Sequence, residues 1–294
     1  MRWINKGNGH FRRLGHRAVD YFLASSWDDS SSKYVNCKFD DLRSQKRLTR
    51  ILLEEQHYHC CYCMRDIDLG DSVDHPHAKV TLEHIVPFKT KKEDFPRNLD
   101  RMPKRFKKTV VWGCEEDFKQ YTHKYTVPPY PHIFAYENLS ASCDGSIGDI
   151  KNNASFFHLH NTCNNCRGEK EIIPLFLKKN AIRNINYASD GTLLFDDDKY
   201  EATINALNLE FDTLTLIRKA WFEITQYHDS SEVLKARNDK GLRENILEDT
   251  ALTEDERSTF RNETMWELLS QYEWFYHYYK YKYPAFMKKT ESKN

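Results

Sequence analysis

Eight cysteines, spread unevenly over 294 residues, constrain this chain more than any other feature of its sequence. They are Cys37, Cys60, Cys61, Cys63, Cys114, Cys143, Cys163 and Cys166. Two spacings are Cys-x-x-Cys, Cys60–Cys63 and Cys163–Cys166, and a pair so spaced can reach one tetrahedral ion from a single tight turn. The opening MRWINKGNGHFRRLGHR is basic but has no apolar stretch, so a secretory signal is not expected and a cytoplasmic setting is the default. Clustered cysteines in a reducing compartment point to metal ligation rather than disulfides. The bland alternative, buried free thiols, suits Cys37, Cys114 and Cys61 better than it suits the paired positions.

Composition then limits the partners. The 44 basic and 44 acidic residues cancel, so the chain as a whole exerts no pull on nucleic acid and any grip must be local. The steepest local excess is Lys89–Lys108, with nine Lys/Arg against three Asp/Glu and Phe88, Phe95 and Phe106 interleaved. A solvated loop explains such a patch as readily as phosphate contacts do. Apolar residues at 39% support a packed core, and no run is long enough to cross a bilayer. A GxxxxGK[ST] loop is missing, so the chain is not expected to be an ATPase itself.

Periodicity places the remaining segments. Residues 1–30 read as an amphipathic helix entering the polar loop WDDSSSK, and 41–58 as a helix delivering the chain to the first cysteine pair. VTLEHIVP is a short β-prone run stopped by Pro87. Residues 109–134 look like an insertion, with VVW a short strand and VPPYP a rigid loop. GTLLFDDD suggests a hairpin turn, 199–226 helices, and 253–284 a long helical pattern whose Trp and Tyr residues suit a core or a partner interface better than base stacking.

Three pieces become informative through their order: Cys60-Cys61-Tyr62-Cys63; Glu83-His84-Ile85-Val86-Pro87; and Asn138 to Cys143, followed by Cys163-Asn164-Asn165-Cys166-Arg167-Gly168. With MRWINKG, RLTRILLEEQHYHCCYCMRDI, LEHIVPFK, YENLSASCDG, CNNCRGEKEIIPLF and ALNLEFDTLTLIRK, they make the chain resemble an HNH endonuclease of the zinc-bearing subclass. Within that class it is similar to the family that includes the HNH subunit of Septu-type antiphage systems, found also beside retrons. The likeness spans roughly residues 1–220, densest over 48–175.

The resemblance implies an α+β fold in which a zinc-stapled ββα-metal module, residues 48–175, sits in a mostly helical protein with flanks 1–47 and 176–294. It implies His84 as general base, Glu83 and Asn164 as holders of a catalytic Mg²⁺ or Mn²⁺, and Asn138 as the residue fixing the loop that orients His84. It implies Cys60, Cys63, Cys143 and Cys163 as structural zinc ligands. The chain departs from the family here, because the last two ligands commonly form a Cys-x-x-Cys just before the Asn. His160 and Cys166 therefore remain open as replacements for Cys143. Arg167 and Lys170 are expected to meet phosphate, together with Lys104, Arg105, Lys107 and Lys108 of the basic insertion.

For Glu83-His84 alone, the ordinary reading is a solvated strand end beside a satisfied histidine; the flanking motifs shift the balance to catalysis. Asp74-His75 is a second acid-His pair, in a polar loop without a β-run. The expected activity is metal-dependent phosphodiester hydrolysis, with DNA favoured, in an antiphage role beside an ATPase subunit. The rivals are a zinc knuckle that binds nucleic acid or protein without cutting, and an RNA nuclease toxin acting on tRNA.

Overall fold

The computed structural model describes residues 1–294 except 8, 36, 71–77, 119–123, 126, 148–161, 196 and 292–294. Asp74-His75 and His160 thus lie outside the described residues.

The centre is a three-stranded sheet in the order Ile67–Asp68, Ala78–His84, Leu139–Cys143. The first pair is parallel and the second antiparallel. Register runs from Val80 opposite Cys143 to His84 opposite Leu139, so the end carrying Glu83 and His84 faces the start of the partner strand. Because side chains alternate across a strand, Val80, Leu82 and His84 share one face while Thr81 and Glu83 share the other. A one-residue slip would exchange the two sets. Thr81 holds the register from its own face, with Oγ1 2.9 Å from Ser142 Oγ.

Helices close over this sheet. Gly9–Ser25 buries Ala18, Val19, Phe22 and Leu23 on one stripe and packs on Lys46–Gln56, which buries Leu48, Ile51, Leu52 and Leu53. Gln56 then grips the sheet edge: its amide accepts from Ala141 N at 2.8 Å and donates to Ala141 O at 2.7 Å. Under the same contact lies a buried ion pair, Lys6 Nζ to Glu55 at 2.6 Å, with the ammonium 4.1 Å from the Tyr136 ring centroid.

Several expected elements are shaped differently. The first helix begins at Gly9 rather than at the start of the chain. WDDSSSK is a small hairpin, Trp27–Asp28 against Lys33–Tyr34, held by an edge-on contact between Trp27 and Tyr34 at 5.0 Å. The single helix expected over 41–58 is two, Phe39–Arg43 and Lys46–Gln56, separated at Ser44 and Gln45. The long pattern over 253–284 is divided into Glu254–Arg261, Glu263–Ser270, Trp274–His277, a π turn at Tyr278–Lys282, and Tyr283–Glu291. Thr253 and Glu256 form a reciprocal cap and Asn262 caps the next helix, so a polar break replaces continuity.

The insertion pairs Val110–Val111 in parallel with Tyr130–Pro131, so the end of the VPPYP stretch expected as a loop is a strand. The Leu193–Phe195 strand of the GTLLFDDD segment pairs with Ile185–Tyr187 around Gly191, whose φ of +86° only glycine adopts freely. Phe95 and Phe106 of the basic segment are core residues, and so are Trp266, Tyr272, Trp274, Phe275, Tyr278 and Tyr279. Among the described residues, no helix is long and apolar enough to cross a membrane.

Candidate metal centre and strand-end site

Cys60 and Cys63 stand on a tight knuckle after the Lys46–Gln56 helix, Cys143 ends a sheet strand, and Cys163 opens the short helix Cys163–Arg167. All four are buried, and their sulfurs lie within 4.8 Å of one another. Cys60 Sγ is 3.9 Å from Cys163 Sγ, and Cys63 Sγ is 3.7 Å from Cys143 Sγ. A tetrahedral zinc with bonds of about 2.3 Å separates its sulfurs by about 3.8 Å, so the spacing suits that ion. Electrostatics agree. Burial resists ionisation of Cys60, yet hydrogen bonds from the thiols of Cys143, Cys163, Cys61 and Cys63 bring it well below the ordinary thiol range. Cys163 is pushed well above that range by its own burial and by the same neighbours. Four thiolates cannot coexist here without a cation to neutralise them.

Cys143 is therefore in the group, and Cys166 stands outside it, only half-buried. Cys61 is turned toward Ser140, 3.6 Å from its hydroxyl. Two local devices shape the site. Gly145, at φ +75°, lets the turn after Cys143 approach Thr162, since an added Cβ would sit 2.0 Å from the Thr162 carbonyl oxygen. Cys163 itself has φ +57°, and its N–H donates to Leu207 O at 2.9 Å. The C-terminal region adds a clamp that the sequence did not announce. Tyr272 Oη lies 3.8 Å from Cys63 Sγ, Arg65 Nε donates to Gln271 Oε1 at 2.7 Å, and Asp66 N donates to Gln271 O at 2.7 Å.

Beside this centre, the strand end carries the acid-His pair. His84 is buried under Phe39, with ring centroids 4.2 Å apart, and touches Phe88. Its Nε2 lies 3.0 Å from Ile133 O. A carbonyl only accepts, so Nε2 carries the proton and Nδ1 keeps the lone pair. Burial lowers the imidazole pKa to about 4, which leaves the ring neutral at physiological pH. Asn138 is fully buried and spends its whole amide on backbone. Oδ1 accepts from Val86 N at 2.7 Å, and Nδ2 donates to Val86 O at 3.0 Å and His132 O at 2.8 Å. It thereby fixes the turn that follows His84.

Glu83 and Arg167 depart from expectation. Arg167 is only 1% exposed and lies inside the protein, not on the surface where it was expected to meet phosphate. Its guanidinium pairs with the Glu83 carboxylate and donates to His84 O at 2.7 Å and Ile85 O at 2.9 Å. Asn164 Nδ2 donates to Thr81 Oγ1 at 3.3 Å, two residues along the strand from Glu83. Of the two donors expected for a catalytic divalent ion, the Glu83 carboxylate is thus already engaged by Arg167, while Asn164 is held through its amide nitrogen; with that carboxylate paired, the arrangement does not fit the ion.

Lys170, Lys104, Arg105, Lys107 and Lys108 are exposed, the last four on the 3-10 turn Lys104–Lys108. Lys107 pairs with Asp100, while Arg105 reaches back to Asn5 Oδ1 at 3.2 Å. The N-terminal helix brings Arg12 close to Arg105, which depresses the Arg105 pKa after the larger effect of burial. Arg13 and Arg17 are exposed on that helix, so the basic surface extends beyond the segment that composition marked. No protein-family model matches this chain, and no curated protein or solved structure matches it.

Proposed function

We propose that this chain is an HNH-type endonuclease that hydrolyses phosphodiester bonds in nucleic acid, with His84 as the general base. One observation carries the reading. A neutral, buried histidine, its tautomer fixed by Ile133 O, ends a strand whose antiparallel partner runs into the four-cysteine group and the helix bearing Asn164. Nδ1 then has the free lone pair with which to take a proton from an attacking water. Phe39 and Phe88 restrict water around the ring, and Asn138 holds the following turn so that the ring keeps its aim.

The four cysteines suit a structural zinc that staples the small strand-strand-helix unit, and zinc at that position does no chemistry on the substrate. The resemblance would place a Mg²⁺ or Mn²⁺ ion on Glu83 and Asn164. With Arg167 seated on Glu83 that carboxylate is closed, so the chemistry assigned to this chain is that of His84 and its surroundings. DNA as substrate, an antiphage role and an ATPase partner rest on the family resemblance alone.

The closed Glu83–Arg167 pair favours a second reading, a zinc-stapled module that grips nucleic acid without cutting. The two readings separate in one experiment. Purified protein is incubated with supercoiled plasmid and with single-stranded RNA, in Mn²⁺, Mg²⁺ or EDTA, beside His84→Ala. Divalent-dependent cutting by the wild type and its loss in His84→Ala support the nuclease. Equal cutting by both proteins removes His84 from the chemistry, and binding without cutting, even with an ATPase partner added, supports the module.

A further inference from the structure

A cavity of about 420 Å³ opens beside the strand end, within the roughly 300–1,000 Å³ typical of small-molecule sites. Val80, Leu82 and Leu69 give it an apolar floor. Three cations from separate elements line it: Arg43 at the end of the Phe39–Arg43 helix, Lys46 at the start of the next helix, and Lys79 on the central strand. Lys79 is exposed and has no ion-pair partner among the described residues. Among the described residues Arg43 pairs with Asp40, at 3.1 Å, where both side chains are more than half exposed, and so exposed a contact exchanges readily for a stronger anion. The acidic residue of the lining, Asp144, accepts hydrogen bonds from Ser146 N at 3.0 Å and Ser146 Oγ at 2.7 Å.

The cavity and the candidate catalytic histidine share one strand. Leu82 on its floor and His84 lie two residues apart on the same face of the strand. The Phe39–Arg43 helix spans both places, with Phe39 against the imidazole and Arg43 at the cavity.

We infer that this cavity binds a nucleotide, with the base on Val80, Leu82 and Leu69 and the phosphate between Arg43, Lys46 and Lys79. An apolar floor under a rim of cations matches a ligand that is flat and apolar at one end and anionic at the other. The ligand has two sources: the nucleotide next to the scissile phosphate in a single strand, or a free nucleoside monophosphate. The strand source rests on the nuclease reading; the free-nucleotide source does not.

The test uses the full chain in Ca²⁺ buffer, where binding is read without cleavage. A labelled single-stranded oligonucleotide is titrated by anisotropy and a nucleoside monophosphate by calorimetry. Proteins are wild type, Lys79→Glu, Arg43→Glu, and Val80→Phe, which fills the floor without changing charge. Zinc content and thermal melts certify that each variant is folded. The expected result is at least a ten-fold loss of affinity in all three variants. Loss for both probes, or for the oligonucleotide alone, assigns the strand source; loss for the monophosphate alone assigns the free nucleotide. Folded variants that bind both probes like wild type overturn the site, as does a wild type that binds neither. Plasmid cutting by His84→Ala is scored separately: undiminished cutting there sinks the nuclease reading while leaving the cavity result intact.

Discussion

Arg167 and Glu83, 84 residues apart in sequence, meet inside the protein as an ion pair whose side chains are 1% and 5% exposed. The same guanidinium spans the carbonyls of His84 and Ile85, so it neutralises the acid and holds the strand end in one contact.

Removing one partner strands a buried charge, which costs about 3–5 kcal/mol. Arg167→Met is therefore expected to lose that much stability in urea denaturation. Glu83→Met with Arg167→Met together should recover much of the loss, because neither charge is then left alone. Additive losses in the double variant would show that the pair is not coupled.

Zinc should bind at one ion per chain, and Cys143→Ser should lower both the bound metal and the melting temperature. Cys166→Ser should change neither, since that thiol stands outside the group. Elemental analysis beside thermal melts checks this, and a Cys166→Ser protein that loses zinc would reassign the fourth ligand.

Gly145→Ala is expected to weaken zinc retention although it touches no ligand. At Gly145, where φ is +75°, the new methyl meets the carbonyl oxygen of Thr162, the residue before Cys163, at 2.0 Å. A strain of about 1–3 kcal/mol follows from the backbone alone. Competition with a chromophoric chelator would report faster zinc loss than in wild type.

Acid should destabilise the fold through its buried histidines. Burial lowers His84 and His132 to about 4, below the usual 6.5, so the unfolded chain binds more protons between those values. Stability is then complete above about pH 6.5 and is lost as pH falls toward 4, by about 3 kcal/mol per histidine. His132→Gln, with zinc content matched, should show a shallower decline in urea midpoint from pH 6.5 to 4.5; an unchanged slope would clear His132 of the effect.

Much of this was legible in the sequence wherever one residue type has one dominant use. The Cys60–Cys63 spacing pointed to a metal centre, the resemblance supplied Cys143 and Cys163 as its partners, and the β-prone run before Pro87 became the central strand. Asn138, buried and bound to the turn after His84, was reached through the resemblance rather than through its own surroundings. What escaped was decided by partners far along the chain. An arginine after a Cys-x-x-Cys looks like a phosphate ligand until Glu83 folds over it, and nothing near Arg65 announces Gln271. Short elements escaped too: a hairpin of two-residue strands leaves too little alternation to read, and is held by the Trp27–Tyr34 contact instead.

The clamp of Gln271 and Tyr272 on the cysteine knuckle sets an order on the making of the molecule. Cys63 and Tyr272 are 209 residues apart, so on the ribosome the knuckle emerges long before the segment that covers it. Contacts of such separation form late and slowly. The knuckle is thus uncovered for most of synthesis, and it is closed over only when the segment carrying Gln271 and Tyr272 arrives.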